Sequence, residues 1–344
     1  MKWTPSRDKV GTTIVNFNLR HRLWIAGGCI SAYLIVLFLV MWNTSAPPRL
    51  GLSVAWDTTT SEWRVTRVSP ISPASELPIQ PGDSVVGVDG IGPTTGEPSE
   101  GLAIEQSSRV EIQPAAGTES FVADAGTRAP NRVTFAVISA SAVLLGLIAF
   151  LYGRGTAPLA LALVCYAGAI EIIVSVAGYW QWRPALVLHG IFLPLAVSSI
   201  AYLSLVFPVS RQLQLGRWRV PAIALPISSL PISALLTIST FVSIDAFSRL
   251  QPMFYLYDVA CLGTASGAFL YSWWKSRSGR ERVQLRIVTL GSVIAVTPFL
   301  AFTVIPRLVL GRDIVSPEVT LHALILLPAS FAYAILRYQI MDLR

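Results

Sequence analysis

Four ionisable residues stand inside long apolar stretches of this sequence: Glu171, His189, Asp258 and His322. An ionisable side chain is costly inside a bilayer, so such residues usually face a bundle interior and mark a functional site. At 1.5 Å of rise per residue, all four lie about 6–13 Å below the ends of their runs that are expected outside. We therefore predict that they line a ligand vestibule in the outer half of a membrane bundle.

A simpler interpretation applies to two of these residues. At such shallow depths, His189 and His322 can face lipid headgroups, as polar residues at a membrane interface often do. Glu171 is the deepest of the four, and a lone carboxylate at that depth is expensive. We therefore expect Glu171 to have a partner inside the bundle.

Composition indicates an integral membrane protein. The chain has 344 residues, of which 53% are hydrophobic and 13% charged, with a mean hydropathy of +0.59, whereas soluble domains carry about 25% charged residues. The net charge of +7 comes without a basic arm or nucleic-acid motif, so we expect no nucleic-acid partner. Cys29, Cys165 and Cys261 fall in apolar runs, which predicts packing residues and neither a disulfide framework nor a metal site. No pattern indicates a cofactor.

Eight apolar runs have about the length that crosses a lipid bilayer. The first, 23–42, follows a basic segment, 1–22, whose length favours an uncleaved anchor over a signal peptide cleaved near Ala46. The predicted fold is a multi-pass α-helical membrane bundle of eight spans, seven of them within residues 133–336. The later runs are 133–152, 156–180, 184–207, 220–242, 252–274, 287–305 and 318–336.

The positive-inside rule gives the orientation independently. With the N-terminus inside, the cytoplasmic connections carry nine Lys and Arg residues and the short outer connections carry four. This asymmetry places both termini in the cytoplasm and residues 48–124 outside the cell membrane. The nine are Arg154, Arg211, Arg217, Arg219, Lys275, Arg277, Arg280, Arg282 and Arg286, and the four are Arg183, Arg249, Arg307 and Arg312.

Residues 48–124, between the first two spans, have the pattern of an extracytoplasmic α+β domain. Short β-rich runs are separated by turn residues such as Pro81-Gly82-Asp83. The phrases VSPISPASELPIQPGD and VVGVDG, in this order, resemble bacterial PDZ domains. The predicted strands are 50–56, 63–68, Ser84–Val88 and Arg109–Gln113, and the predicted helices are 73–77 and Pro98–Gln106.

The PDZ resemblance implies a binding site for an extracellular peptide or protein C-terminus, added as an edge strand. The family's carboxylate-binding turn corresponds to Arg49-Leu50-Gly51-Leu52, and its groove lies between strand 50–56 and helix Pro98–Gln106. The chemistry is consistent, because Gly51 permits close backbone approach and Arg49 adds positive charge. The alternatives are a plain β-turn and a domain that acts only as a spacer.

Three phrases on the predicted cytoplasmic side carry a second resemblance: LVFP at 205–208, SGRERVQL at 278–285 and FAYAILRYQIMDLR at 331–344. Together with the layout, they resemble the sensor region of multi-pass bacterial histidine kinases of the competence pheromone type. This implies a homodimeric signalling module of a bacterial plasma membrane, with residues 337–344 as its cytoplasmic exit.

The resemblance does not extend to catalysis. The histidines are His21, His189 and His322, none in a cytoplasmic helix pair, and no Gly-rich nucleotide loop is present. We therefore expect no enzyme activity from these residues and a kinase or response-regulator system outside them. A PDZ-bearing scaffold or accessory subunit of another membrane complex is the alternative function.

An intramembrane protease is the remaining enzyme class. The absence of H-E-x-x-H excludes that zinc chemistry. A serine protease of rhomboid type would use Ser266 and His322, but the required G-x-S-G pattern has Thr264 where Gly is needed. Small residues around Ser266 more often serve helix packing. This class is the lower alternative.

Overall fold

The computed structural model is mostly helical, 72%, with a small antiparallel sheet. Among the residues that it describes, five helices are long and apolar enough to cross a membrane, as a multi-pass membrane protein requires. These are α1 (Leu19–Asn43), α3 (Arg132–Tyr152), α4 (Thr156–Gly178), α5 (Arg183–Val206) and α6 (Ala224–Val242). The described residues are 19–45, 48–68, 72–93, 95–115, 117, 119–126, 131–153, 155, 156–178, 182–207, 213–215, 218–220, 222–275, 279–299, 301–302, 305–306, 314–315 and 317–341.

Three further predicted spans correspond to helices of mixed composition. These are α7 (Ile244–Lys275), α8 (Gly279–Phe299) and the pair α9 (Pro317–Leu324) and α10 (Leu326–Met341). Helix α8 begins before the predicted run at 287, because the polar phrase from Gly279 onward contains good helix formers that hydropathy does not register. Neighbouring helices α3 to α6 pack in chain order, while α8 packs on α9 and α10, and α10 also contacts α3 and α4.

The last predicted span, 318–336, is broken into two helices at Ile325. Pro328 explains the break, since it has no N–H to donate to the Leu324 carbonyl and its ring clashes with that group. At the junction, the Ile325 N–H donates to His322 O at 3.3 Å and the Ala329 N–H to Ile325 O at 3.1 Å. The two pieces therefore adopt separate positions against α8.

Helix α1 runs antiparallel to α3 and is attached near both of its ends. Arg22 Nη1 donates to Phe150 O at 3.0 Å, near the end of α3. Arg132 Nη1, at the start of α3, donates to Thr44 O at 2.6 Å, and between them Tyr33 and Ser139 share a hydroxyl hydrogen bond. Residues 44–131 therefore leave and rejoin the helices at one end of this pair.

The segment between α1 and α3 forms a five-stranded antiparallel sheet in which chain neighbours pair, in the order β1-β2-β3-β4-β5. Helix α2 (Pro98–Gln106) packs on it, and Gly101 permits the close approach, since a Cβ there would lie 2.6 Å from Trp63 Cη2. The predicted short helix is a 3₁₀ turn, Pro73–Glu76. The strands are β1 (Leu52–Asp57), β2 (Glu62–Val68), β3 (Ser84–Val88), β4 (Arg109–Gln113) and β5 (Phe121–Asp124).

Two elements were not predicted. One is β5, which pairs with β4 and completes the sheet. The other is a hairpin of β6 (Leu213–Leu215) and β7 (Trp218–Val220) between α5 and α6, in the predicted cytoplasmic connection. Both have strands of three or four residues, too short for alternation to be distinguished from loop sequence.

Some predictions fall outside the described residues. They include most of the N-terminal segment, 1–18, and the last residues, 342–344. The same holds for part of the charge pattern that sets the orientation, namely Arg154, Arg211, Arg217, Arg277, Arg307 and Arg312. The orientation stays a prediction.

A buried carboxylate ties the turn before β3 to the end of β4. Asp83 is buried, and its carboxylate accepts from Gln80 N–H at 2.8 Å and Ala115 N–H at 2.9 Å. Replacing Asp83 with Asn turns one acceptor into a donor that faces an N–H group. We expect the local free energy of unfolding to fall by about 2 kcal/mol, measured by hydrogen exchange of the segments around Gln80 and Ala115.

The matched control is Asp89→Asn, since Asp89 is exposed with φ 49°, a conformation that Asn tolerates. It should leave exchange in these segments unchanged. Equal protection in Asp83→Asn and the parent protein would show that the two hydrogen bonds contribute nothing.

Candidate functional site

The first candidate site is the groove between β1 and α2. Strand β1 is an edge of the sheet, with β2 on one side and α2 along the other. The two elements run in opposite directions: the Leu50 N–H before β1 donates to Ser107 O after α2 at 3.2 Å, while Gly96 before α2 lies against the Trp56 indole. An edge strand beside a helix offers backbone groups to an added strand.

The outer edge of β1 can be assigned from its hydrogen bonds. The Val54 N–H faces α2, since it donates to Glu105 Oε1 at 3.2 Å, whereas Ser53 O accepts from the Thr66 hydroxyl of β2 at 3.0 Å. The pairing irregularity falls on β2, where Thr66 is the extra residue, so β1 alternates without interruption. Leu52, Val54 and Trp56 therefore direct their backbone groups toward the groove.

The four predicted carboxylate-binding residues lie together at the start of β1. Arg49 is exposed, Leu50 and Leu52 are buried, and Gly51 has φ +78°, a left-handed conformation that favours glycine. One detail differs from expectation: the Leu50 N–H donates to Ser107 O and its carbonyl accepts from Ala74 N–H at 3.1 Å. Leu50 fixes the turn, which leaves Gly51 and Leu52 as the N–H donors for an anion.

Glu105 is a groove residue that the sequence reasoning missed. Its position near the end of a predicted helix indicated nothing more than a solvated charge, yet its carboxylate accepts the Val54 N–H, an edge group that an added strand would use. Trp63 of β2 contacts the other end of α2. Its indole donates to Glu100 Oε2 at 2.8 Å, which fixes the face that α2 turns to the sheet.

The acidic residue at the far end of β1 is already paired. Asp57 accepts from Thr59 N–H at 2.9 Å and lies 3.1 Å from Arg64 Nε. Hydrogen bonds from the Thr59 hydroxyl and N–H hold the pKa of Asp57 below its usual range. This partly exposed carboxylate therefore closes the β1–β2 turn and remains ionised at neutral pH.

The second candidate site is a polar cluster among α4, α5 and α7. His189 Nδ1 lies 2.7 Å from Glu171 Oε1, the separation of a charge-assisted hydrogen bond. The two side chains are 23% and 14% exposed, so the expected partner of Glu171 is His189. Asp258 on α7 interacts electrostatically with both. Three of the four predicted vestibule residues thus come together.

The cluster contains more acceptor atoms than donors. Glu171 Oε2 and Asp258 Oδ1 are buried, and within the described part of the chain neither has a hydrogen-bond partner. The surroundings are apolar: the His189 ring lies 6.2 Å from that of Phe247, which packs with Phe254. No group of three His, Cys, Asp or Glu residues in the described ranges has the geometry of a metal site.

The fourth predicted vestibule residue lies elsewhere. His322 is exposed on α9, a helix that packs mainly on α8 and also on α3, whereas the cluster is on α4, α5 and α7. Ser266, the nucleophile of the protease alternative, is exposed on α7. The depth of a residue along its helix does not determine which helices are its neighbours, which is why sequence reasoning grouped His322 with the others.

An aromatic contact connects the last helix to the bundle. Phe331 of α10 is buried, with ring centroids 5.4 Å from Phe207 at the end of α5 and 5.7 Å from Phe269 of α7. Helices α5 and α7 also carry His189 and Asp258. Helices α5 and α7 therefore carry residues of the polar cluster and also contact the helix that precedes residues 342–344.

Comparison with known proteins leaves the family open: no protein-family model matches the chain, and no curated protein matches it.

Proposed function

We propose that this chain is the receptor module of a membrane signalling system. In this proposal, residues 48–124 form an extracytoplasmic PDZ-like domain that binds a free peptide C-terminus between β1 and α2. Helices α7, α8 and α9–α10 complete an eight-span bundle whose C-terminal end, 337–344, leads to a kinase or response-regulator system in the cytoplasm. The module acts as a homodimer.

The outer edge of β1 carries this proposal. The backbone groups of Leu52, Val54 and Trp56 face the groove, and the Gly51 turn at its end supplies N–H groups beside the exposed Arg49 side chain. Successive N–H groups at a turn form a concave site for an anion. A carboxylate at Gly51 with its chain along β1 therefore obtains both an anion site and a strand partner.

The bundle supplies a candidate path for the signal. The Glu171–His189–Asp258 cluster joins α4, α5 and α7, and Phe331 joins α5 and α7 to α10. Ligand binding shifts such a bundle only if its two packing states differ in ligand affinity. The proposal therefore requires that domain occupancy favours one arrangement of α10.

Replacing Gly51 with Val tests peptide capture. At φ +78° a β-branched side chain is strained and obstructs the carboxylate. We expect the full-length protein in nanodiscs to bind peptides with free C-termini, not their amidated forms, and Gly51→Val to bind about tenfold more weakly. Fluorescence polarisation of labelled peptides measures both.

Gly82→Val is the matched control for backbone strain. Gly82 has φ +102° in the same domain, and its added Cβ would meet nothing within 4 Å. Gly82→Val should lose stability but retain peptide affinity. If free and amidated peptides bind the parent protein equally, or neither binds, the domain has no carboxylate-capture role.

A further inference from the structure

Resting on the peptide-capture function above, we propose that the groove selects C-termini with a basic side chain two residues before the end, and that Glu105 recognises it. The Glu105 carboxylate on α2 accepts a hydrogen bond from a backbone N–H at the outer edge of β1. Its Oε1 lies 3.2 Å from Val54 N.

Glu105 and a bound peptide compete for the same donor. An added antiparallel strand uses a peptide carbonyl to accept from Val54 N–H, the hydrogen bond that Glu105 now makes. Binding therefore releases the Glu105 carboxylate while leaving it beside the ligand. A half-buried carboxylate that loses its donor is costly unless the ligand supplies another.

The register identifies the ligand residue involved. A terminal carboxylate at Gly51 and Leu52 places the last residue opposite the start of β1. Edge groups recur at every second residue, so Val54 faces the residue two before the end. A Lys or Arg there donates to the displaced Glu105, whereas an acidic side chain is repelled.

The charges along the groove are complementary to those of such a peptide. Arg49 is exposed at the carboxylate end, and Glu105 lies farther along. Two other carboxylates near the groove have structural roles: Glu100 accepts from Trp63 and Thr95, and Asp57 pairs with Arg64. The site therefore fits a peptide with an anionic end and a cationic residue upstream.

Charge reversal tests this assignment. Three labelled peptides, ending Lys-Ser-Val, Gln-Ser-Val and Glu-Ser-Val, are titrated into the full-length protein in zwitterionic nanodiscs. We expect the Lys peptide to bind about tenfold more tightly than the Glu peptide. Glu105→Lys should reverse the order, and Glu105→Gln, which keeps an acceptor for Val54, should equalise the three.

Glu119→Lys is the matched control, since Glu119 is exposed on the β4–β5 connection and the substitution changes the net charge equally. It should preserve the preference for Lys. Equal affinities for the parent protein, with amidated peptides still rejected, would overturn the role of Glu105 and leave peptide capture intact. Failure of every free C-terminus to bind would reject both proposals.

Discussion

Replacing His189 with Phe should lower the free energy of unfolding by about 3–5 kcal/mol. His189 Nδ1 is the donor that lies 2.7 Å from Glu171 Oε1, and the other oxygen of that carboxylate already has no partner in the described structure. Phe removes the donor and leaves a buried carboxylate against an apolar ring. Thermal or denaturant unfolding of the detergent-solubilised protein measures the loss.

The double variant Glu171→Leu with His189→Phe distinguishes the effect of the unpaired carboxylate on stability from the effect of side-chain size. It removes the carboxylate together with its partner, and replacing a buried pair by apolar side chains is often neutral. We expect it to lie within about 1 kcal/mol of the parent protein and well above His189→Phe alone. A double variant as unstable as the single one would show that packing, not the unpaired carboxylate, causes the loss.

Asp258 gives the opposite expectation within the same cluster. Its Oδ1 is buried without a hydrogen-bond partner in the described chain, so an amide at this position removes an unpaired buried charge and replaces one acceptor oxygen with a donor. Asp258→Asn should leave stability within about 1 kcal/mol of the parent protein or raise it. A loss as large as that of His189→Phe would mean that Asp258, too, is held by a donor.

The sequence predicted the sheet domain in detail where local signals are strong. The observed bounds Pro98–Gln106 and Arg109–Gln113 equal the predicted ones, since Pro at the first helical position and strict apolar alternation are local features. By contrast, β5 is defined by its pairing with β4. The role of Glu105 depends on which face of α2 is turned toward β1. Those are tertiary properties, which a short stretch of sequence does not determine.

In the bundle, composition and depth could be predicted from the sequence, but the neighbours of each helix could not. Glu171, His189 and Asp258 were grouped by depth and do meet, whereas His322, grouped on the same argument, lies on α9. The sequence predicted a single span at 318–336. The break at Ile325 gives α9 and α10 separate packing positions, which is the physical reason for the difference.

The packing of α10 on α8 depends on Gly291. A Cβ added there would overlap Ser330 Cβ and lie 2.7 Å from Ser330 Oγ, on a helix that also carries Phe331. Gly291→Val should lower the free energy of unfolding by about 3 kcal/mol, because overfilling a close helix contact forces the backbones apart. Thermal unfolding in micelles measures the change.

Gly263→Val is the control, because Gly263 is exposed on α7 and an added Cβ there meets nothing within 4 Å. It should be nearly neutral, since a helical glycine has no propensity advantage over valine. A second change, Ser330→Gly, removes the overlapping atoms and should recover part of the stability lost in Gly291→Val. If Gly263→Val is as damaging, or Ser330→Gly restores nothing, the close contact between α8 and α10 is not what Gly291 provides. Recovery would instead show that this contact fixes α10, the helix through which the proposed signal leaves the bundle.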